Sequence, residues 1–451
     1  MSVKKARPGT TMGAGASLVR KIEGKQAVVG IIGMGYVGLP LALAFDRAGF
    51  RVLGFDVDPV KVRKLNRGES YLKHIGTGRV TLLARRGKFQ ATGDFKRLRE
   101  ADAIAICVPT PLTEMKEPDL SFVVSSAEQV AATLRRGQLV VLESTTWPGT
   151  TDEVLRPILE RRGLLCGKDF FLAFSPERED PGNPVYHTGN IPKVVGGVDA
   201  MSTTLCAALY GQVIEDVVIV SSARAAEMTK LLENIYRSVN IALVNELKLL
   251  MHRMGIDLGE VIRAAATKPF GFTPFYPGPG LGGHCIPLDP FYLSWKAREF
   301  DFSTRFIELA GEINTGMPYY VVERVGEALN RQGKALKGAK VLILGVAYKK
   351  NVDDMRESPA ITIIELLLAK GARVAYHDPH IPRLPKMRRS KLSMASTPLT
   401  AGLLKGQDCV VIVTDHDVLD YQAVVDRAKL VVDTRDVTRG IARGRHKIVP
   451  A

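Results

Sequence analysis

From Ala27 to about Val220 the chain alternates short apolar runs with helical stretches. The runs Val28–Ile32, Arg51–Asp56, Ala103–Val108, Leu139–Glu143, Phe170–Phe174, Lys193–Gly196 and Val217–Val220 are short and mostly rich in β-branched residues, and each reads as a strand. Strands separated by helices predict βα units and a mainly parallel sheet. Between Ser221 and about Arg331 the strand signal vanishes. Met228, Leu231, Leu232, Ile235, Val239, Ala242 and Leu243 recur at helical spacing and predict a long helix over Ala225–Met254. Phe306–Leu329 predicts another, and a Pro/Gly-rich loop, Pro269–Pro290, lies between them. Strands return at Lys340–Leu344, Arg373–His377, Cys409–Val413 and Leu430–Asp433. The expected architecture is α/β: a basic, flexible tail over 1–24, a sheet domain over 25–220, a helical domain over 221–331 and a second sheet domain over 332–451.

Composition narrows the class. Of 451 residues 46% are apolar and 24% charged, a globular balance. No apolar run reaches the ~18 residues that a bilayer-spanning helix needs, and no secretory leader pattern is visible. Five scattered cysteines without CxxC spacing argue against a disulfide or zinc framework and for a reducing cytoplasm. The net charge of +15 attracts polyanions. With 7% aromatics, no nucleic-acid-binding motif and basic residues spread along the whole chain, it suits diphosphate-bearing ligands better than nucleic acid.

Two places concentrate chemistry. Val28–Ile32 runs into Gly33-Met34-Gly35-Tyr36-Val37-Gly38, a GxGxxG turn between a strand and an apolar helix. Gly33 permits the turn, Gly35 lets backbone approach a pyrophosphate, and Gly38 allows helix and strand to pack closely. Asp56 ends the next strand, placed to bind adenosine ribose hydroxyls and to repel a 2′-phosphate, which favours NAD over NADP. The second place is Pro277–Pro290, whose glycines let a ligand lie against backbone amides. Cys285 sits in this loop as a candidate nucleophile, whereas Cys107 and Cys409 lie in apolar strands and Cys166 and Cys206 read as structural. Asp289 is a candidate general base. Lys230 and Asn234, four apart on a helix, share a face where a cation and an amide can hold an oxyanion.

Six motifs then occur in order: Gly33–Gly38 with Asp56; Glu143-Ser144-Thr145-Thr146; Ser175-Pro176-Glu177-Arg178; Lys230-xxx-Asn234; Gly282-Gly283-His284-Cys285-Ile286-Pro287-Leu288-Asp289; and Tyr348 to Pro359. Together they resemble the UDP-glucose/GDP-mannose dehydrogenase family over about residues 25–440. The resemblance implies two Rossmann-like parallel-sheet domains joined by a central helical domain with a long helix. It implies an NAD-dependent four-electron oxidation of the C6 hydroxymethyl of a UDP-sugar to a uronic acid, consuming two NAD+, for polysaccharide or glycan precursor synthesis. Cys285 would hold the aldehyde as a thiohemiacetal and then as a thioester. Lys230 and Asn234 would stabilise oxyanions, Asp289 would assist proton transfer or water activation, Glu177 would act in thioester hydrolysis, and Thr145 would position water or cofactor. The glycine turn with Met34, Tyr36 and Val37, together with Asp56, Lys61, Pro109, Thr110, Ser144, Thr146 and Arg356, would bind NAD. Tyr276, Gly278, Gly280, Gly282, Tyr348 and Lys349 would bind substrate, and Arg178 would accommodate an acetamido sugar.

Ser175–Asn183 departs from the longer segment of UDP-glucose dehydrogenases. With Trp295–Arg298 and Thr304–Glu308 it resembles the UDP-N-acetylhexosamine branch, UDP-N-acetylglucosamine first. UDP-N-acetylgalactosamine, UDP-N-acetylmannosamine and UDP-glucose stay open as substrates, as do a two-electron dehydrogenase and a non-catalytic nucleotide-binding protein. The apolar surplus of the middle helices predicts a homodimer or higher assembly.

Overall fold

The computed structural model describes residues 13–451 apart from 73–74, 114, 116, 179–184, 284–285 and 388–389. It forms two compact units, Met1–Leu232 and Glu233–Ala451, and the division falls inside the helix Ala223–Met254.

The first unit is built on eight strands: β1 (Val28–Ile32), β2 (Arg51–Phe55), β3 (Phe89–Thr92), β4 (Ala103–Ile106), β5 (Leu139–Leu142), β6 (Phe171–Phe174), β7 (Lys193–Gly197) and β8 (Val217–Ile219). Their order across the sheet is β3-β2-β1-β4-β5-β6-β7-β8. Pairing is parallel from β3 through β6; β7 is antiparallel to β6, and β8 is parallel to β7. Successive strand residues point to opposite faces, and both faces are covered. Val29, Ile31, Val141 and Ala173 pack in one apolar core, Ile32, Val140, Leu142 and Leu172 in another. A strand buried on both sides needs a nearly continuous apolar run, which is why these strands stand out in the sequence. β3 does not: Phe-Gln-Ala-Thr is too short and polar to signal by itself.

The expected flexible tail over 1–24 is corrected in its second half. Ala14–Glu23 is a helix whose Leu18 and Ile22 are buried in the first core. A Cβ on Gly15 would lie 2.8 Å from the Met201 side chain, so this helix sits close against the helix Ala200–Tyr210. Its apolar stripe, Ala14, Leu18 and Ile22, covers only three positions. So short a helix forms through packing rather than intrinsic propensity, and three positions are too few to show a period. Residues 1–12 lie outside the described residues.

The second unit carries β9 (Lys340–Leu344), β10 (Arg373–His377), β11 (Cys409–Ile412), β12 (Val431–Asp433) and β13 (Ile448–Pro450), all parallel in the order β10-β9-β11-β12-β13. The helices Arg305–Asn330 and Pro359–Ala369 pack together and contribute to the core on this sheet. On Ala223–Met254, Leu232, Tyr236, Leu243, Leu250 and Met254 stay exposed along the helix surface.

Candidate active site

In the first unit β1 ends in the glycine turn. A Cβ on Gly33 (φ +90°) would stand 2.6 Å from the Cys107 carbonyl oxygen, and one on Gly38 only 2.0 Å from the Gly33 carbonyl oxygen. Nothing lies within 4 Å of the corresponding point on Gly35, so the turn is closed on its protein side and open above Gly35. The helix Gly38–Arg47 begins here, and the positive end of its dipole suits an anion. Tyr36 and Val37, both half-buried, complete the turn ahead of it. The Met34 N–H donates to Asp56 Oδ2 (3.1 Å), the Asp58 N–H to Asp56 Oδ1 (2.9 Å), and Lys61 Nζ reaches Oδ2 at 3.3 Å. An open glycine, a helix N-terminus and a carboxylate with acceptor capacity left fit a dinucleotide.

The same edge of the sheet carries the expected cofactor residues Pro109, Thr110, Ser144 and Thr146. Ser144 Oγ donates to the Val108 carbonyl (2.7 Å), tying the chain after β5 to Val108-Pro109-Thr110 after β4. Thr110 is buried and Thr145 half-buried. Thr146 is fully buried, and its Oγ1 makes no hydrogen bond among the described residues. Glu227, a lone carboxylate without any motif in the sequence, clamps the turn Gly149–Thr151. It accepts from the Gly149 N–H (2.6 Å), the Thr151 N–H (2.9 Å) and the Thr151 hydroxyl (2.7 Å). Burial raises its carboxyl to about 7 against the pull of those donors. Glu177, just after β6, pairs with Lys193 at 3.4 Å. Arg178 donates its backbone N–H to Glu177 and its guanidinium to the Pro192 carbonyl.

In the second unit the Pro/Gly loop lies against the Tyr348–Pro359 segment. A Cβ on Gly282 would meet Tyr348 Cβ at 2.7 Å, one on Gly280 would meet Pro359 at 3.1 Å, and the Gly283 N–H donates to the Arg356 carbonyl at 3.0 Å. Side chains at these glycines would lift the loop away. Gly278 donates its N–H to Asn245 Oδ1 (3.0 Å), which Asn314 holds in turn, and a Cβ there would meet the Arg435 guanidinium at 2.7 Å. Arg435 is a cation that the sequence does not single out, because one arginine after a strand carries no pattern. Tyr276 is exposed, Tyr348 and Lys349 are half-buried, and Arg356 is held by Asp354.

Asn234 and Asp289, 55 positions apart, are both buried and joined: Asn234 Nδ2 donates to Asp289 Oδ2 at 2.6 Å. Lys230, one turn earlier on the helix, is also buried, and its ammonium makes no hydrogen bond or ion pair among the described residues. Cys285 and His284 lie outside the described residues. Burial pushes the thiols of Cys107, Cys206 and Cys409 up, and that of Cys166 to about 12, so none of these four is a ready nucleophile. No cluster able to hold a metal ion occurs among the described residues, and no described helix is long and apolar enough to cross a membrane.

Three family models match in succession: the NAD binding domain of the UDP-glucose/GDP-mannose dehydrogenase family over 27–214, its central domain over 224–316 and its UDP binding domain over 342–440. The UDP-N-acetyl-D-glucosamine 6-dehydrogenase of Pseudomonas aeruginosa is 35% identical over 83% of this chain and 88% of its own length. The UDP-N-acetyl-D-mannosamine dehydrogenase of Pyrococcus horikoshii is 33% identical over 92% and 99%. The crystal structure of the NDP-N-acetyl-D-galactosaminuronic acid dehydrogenase from Methanosarcina mazei Go1 superposes with a TM-score of 0.81 at 32% identity, covering 98% of each chain. The open glycine turn, the sealed Asn234–Asp289 pair and these matches lead to one conclusion: the chain belongs to the UDP-glucose/GDP-mannose dehydrogenase family and is an NAD-dependent nucleotide-sugar dehydrogenase.

Proposed function

We propose that the protein oxidises the C6 hydroxymethyl of UDP-N-acetylglucosamine to the uronic acid, for polysaccharide or glycan precursor synthesis. The observation that carries the reading is the buried Asn234–Asp289 pair, four residues beyond Cys285, with Lys230 one turn away on the same helix. A buried amide, and an ammonium with no hydrogen bond or ion pair among the described residues, suit developing negative charge on a substrate oxygen. NAD bound at the glycine turn would supply the hydride acceptor, once for each oxidation. Cys285 retains the aldehyde as a thiohemiacetal and then carries the thioester. Asp289 takes up the proton, and Glu177 activates the water that releases the acid. Thr145 and Thr146 orient that water or the cofactor, beside Pro109, Thr110 and Ser144. Arg356 serves the cofactor; Tyr276, Tyr348, Lys349 and the loop glycines serve the UDP-sugar, with Arg435 as a further cation for its diphosphate. Arg178 accommodates the acetamido group.

The mannosamine epimer is the second reading, because relatives of nearly equal identity bear that name. A panel of UDP-N-acetylhexosamines and UDP-glucose, read by NADH yield and product charge, tests both. Two NADH and one carboxylate per UDP-N-acetylglucosamine is the expected result, and Cys285→Ser abolishes acid formation. One NADH per sugar, or faster turnover of an epimer, refutes the proposal. The exposed apolar row on Ala223–Met254 supports a homodimer, checked by mass in solution.

A further inference from the structure

An ammonium withdrawn from water costs several kcal/mol unless charged partners receive it. Lys193 has a side chain only 4% exposed, and the sheet topology explains its partners. It is the first residue of β7, the strand that runs against β6. That reversal brings the start of β7 to the edge where β4, β5 and β6 end, which is where Rossmann-type sheets hold their ligands. Glu143 is the first residue beyond β5 and Glu177 the third beyond β6. Lys193 Nζ stands 2.7 Å from Glu143 Oε2 and 3.4 Å from Glu177 Oε2. The Tyr210 hydroxyl donates to the other oxygen of Glu143, and the Tyr210 ring lies 5.1 Å from the same ammonium.

The two carboxylates differ in access. The Glu143 side chain is 0% exposed, whereas that of Glu177 is 15% exposed. Glu143 alone would balance the lysine, so the second contact makes the buried pair an anchor for a carboxylate that still meets solvent. We propose that Lys193 is a positioning residue: fixed by Glu143 and Tyr210, its ammonium holds the Glu177 carboxylate ionised and oriented for the hydrolytic half of the reaction. The proposal rests on the reading of Glu177 as the base that activates water. In that step a water oxygen bonds to the thioester carbonyl carbon while Glu177 accepts the water proton. The C–S bond then breaks, the electron pair leaves with the Cys285 sulfur, and the acid is released without any change of oxidation state.

Among the described residues the Cys107 thiol beyond β4 and the neighbouring Arg178 also face Glu177, while Tyr210 and Cys206 on the helix Ala200–Tyr210 face Glu143. Burial pushes Cys107, Cys206 and Tyr210 up, so all three are neutral near pH 7. The Arg178 guanidinium is engaged at the Pro192 carbonyl.

The test isolates acyl-enzyme hydrolysis: the enzyme is mixed with UDP-sugar and excess NAD, quenched, and the Cys285 adduct followed by intact-protein mass against pH. The double variant Glu143→Gln/Lys193→Met removes both buried charges together and strands neither. Its acid limb moves to higher pH, and at a fixed pH on the acid side of that limb hydrolysis slows about tenfold for each pH unit of the movement. Glu143→Gln alone leaves the ammonium to Glu177 and moves the limb to lower pH. Lys193→Arg keeps the wild-type limb. Movement of the two limbs in opposite directions supports the proposal; unmoved limbs in folded variants overturn it, as does movement of both in one direction. Glu177→Gln separates the two ideas. If it lets hydrolysis run at the wild-type rate, the reading of Glu177 falls and the proposal with it. If it traps the adduct while the double variant behaves as wild type, the proposal alone falls.

Discussion

Glu227 offers the sharpest check on the first unit, because its burial makes stability depend on pH in a calculable direction. It is 0% exposed and receives three donors from Gly149 and Thr151, yet burial dominates and lifts its carboxyl from 4.5 to about 7. A folded-state value above the unfolded one means the stabilisation is complete below about pH 4.5 and is lost as pH rises through 7. The rise corresponds to about 3 kcal/mol. Glu227→Gln removes the titration. Its carboxamide oxygen keeps both Thr151 donors, but its NH2 group faces the Gly149 N–H and leaves that donor unpaired, a cost of about 1–3 kcal/mol at every pH. The wild type is therefore the more stable at pH 5, and the gap closes or reverses by pH 8. In a unit of this size about 3 kcal/mol is roughly 6–12 °C in melting temperature. Calorimetric melts of both proteins from pH 5 to 8 measure the difference, in which groups titrating elsewhere cancel. A gap that stays constant or widens with pH refutes the reasoning.

Other substitutions probe the turn, the paired residues and the N-terminal helix. Gly38→Ala places a methyl 2.0 Å from the Gly33 carbonyl oxygen and destabilises the fold by about 1–3 kcal/mol in thermal melts. Gly35→Ala enters open space, so it melts as wild type but binds NAD about tenfold more weakly by titration, the value of one charge-assisted hydrogen bond. Asn234→Asp sets a second carboxylate 2.6 Å from Asp289, where both cannot ionise. Acid formation falls about 100-fold, with an altered pH–rate profile. Leu18→Ala costs about 2–5 kcal/mol in chemical denaturation, a loss no flexible tail would show.

Strands covered on both faces are legible because continuous burial writes itself as Val, Ile, Leu and Ala runs, as in β4 and β5. β3 and the helix Ala14–Glu23 are not, since each depends on the surface that receives it: β3 on β2, the helix on Ala200–Tyr210. The candidate site divides in the same way. Glycine turns and the Lys230–Asn234 spacing are local and can be read. The Asn234–Asp289 bond joins positions 55 apart, the Lys193–Glu143 bond joins positions 50 apart, and Glu227 reaches back 76 to Thr151. Such pairs exist only once the topology has formed, and isolated charged residues give no sign of them.

The same turn-and-carboxylate device occurs once in each sheet, and its details separate the two ligand roles. Gly345 crowds Thr414 as Gly33 crowds the Cys107 carbonyl, and Asp378 at the end of β10 accepts from Val346 and Ala347 as Asp56 at the end of β2 accepts from Met34. Asp56 receives three donors, two N–H groups and the half-exposed Lys61. A carboxylate has about four lone-pair sites, so Asp56 keeps capacity for a ribose hydroxyl. Asp378 receives five, from Val346, Ala347, His380, Ile381 and the fully buried His416. Burial alone would raise its carboxyl, but these donors bring it down to about 2. His416 accepts the Asn351 N–H at Nδ1, which leaves Nε2 to carry the proton toward Asp378 and fastens the Tyr348–Pro359 segment to the same carboxylate. Asp378 has no lone pair to offer a nucleoside. Asp378 and His416 therefore serve to position the segment bearing Tyr348 and Lys349, and a ribose-binding carboxylate like Asp56 has no counterpart at this place in the second sheet. One turn-and-carboxylate device is thus left open in the first sheet and saturated by the protein's own donors in the second.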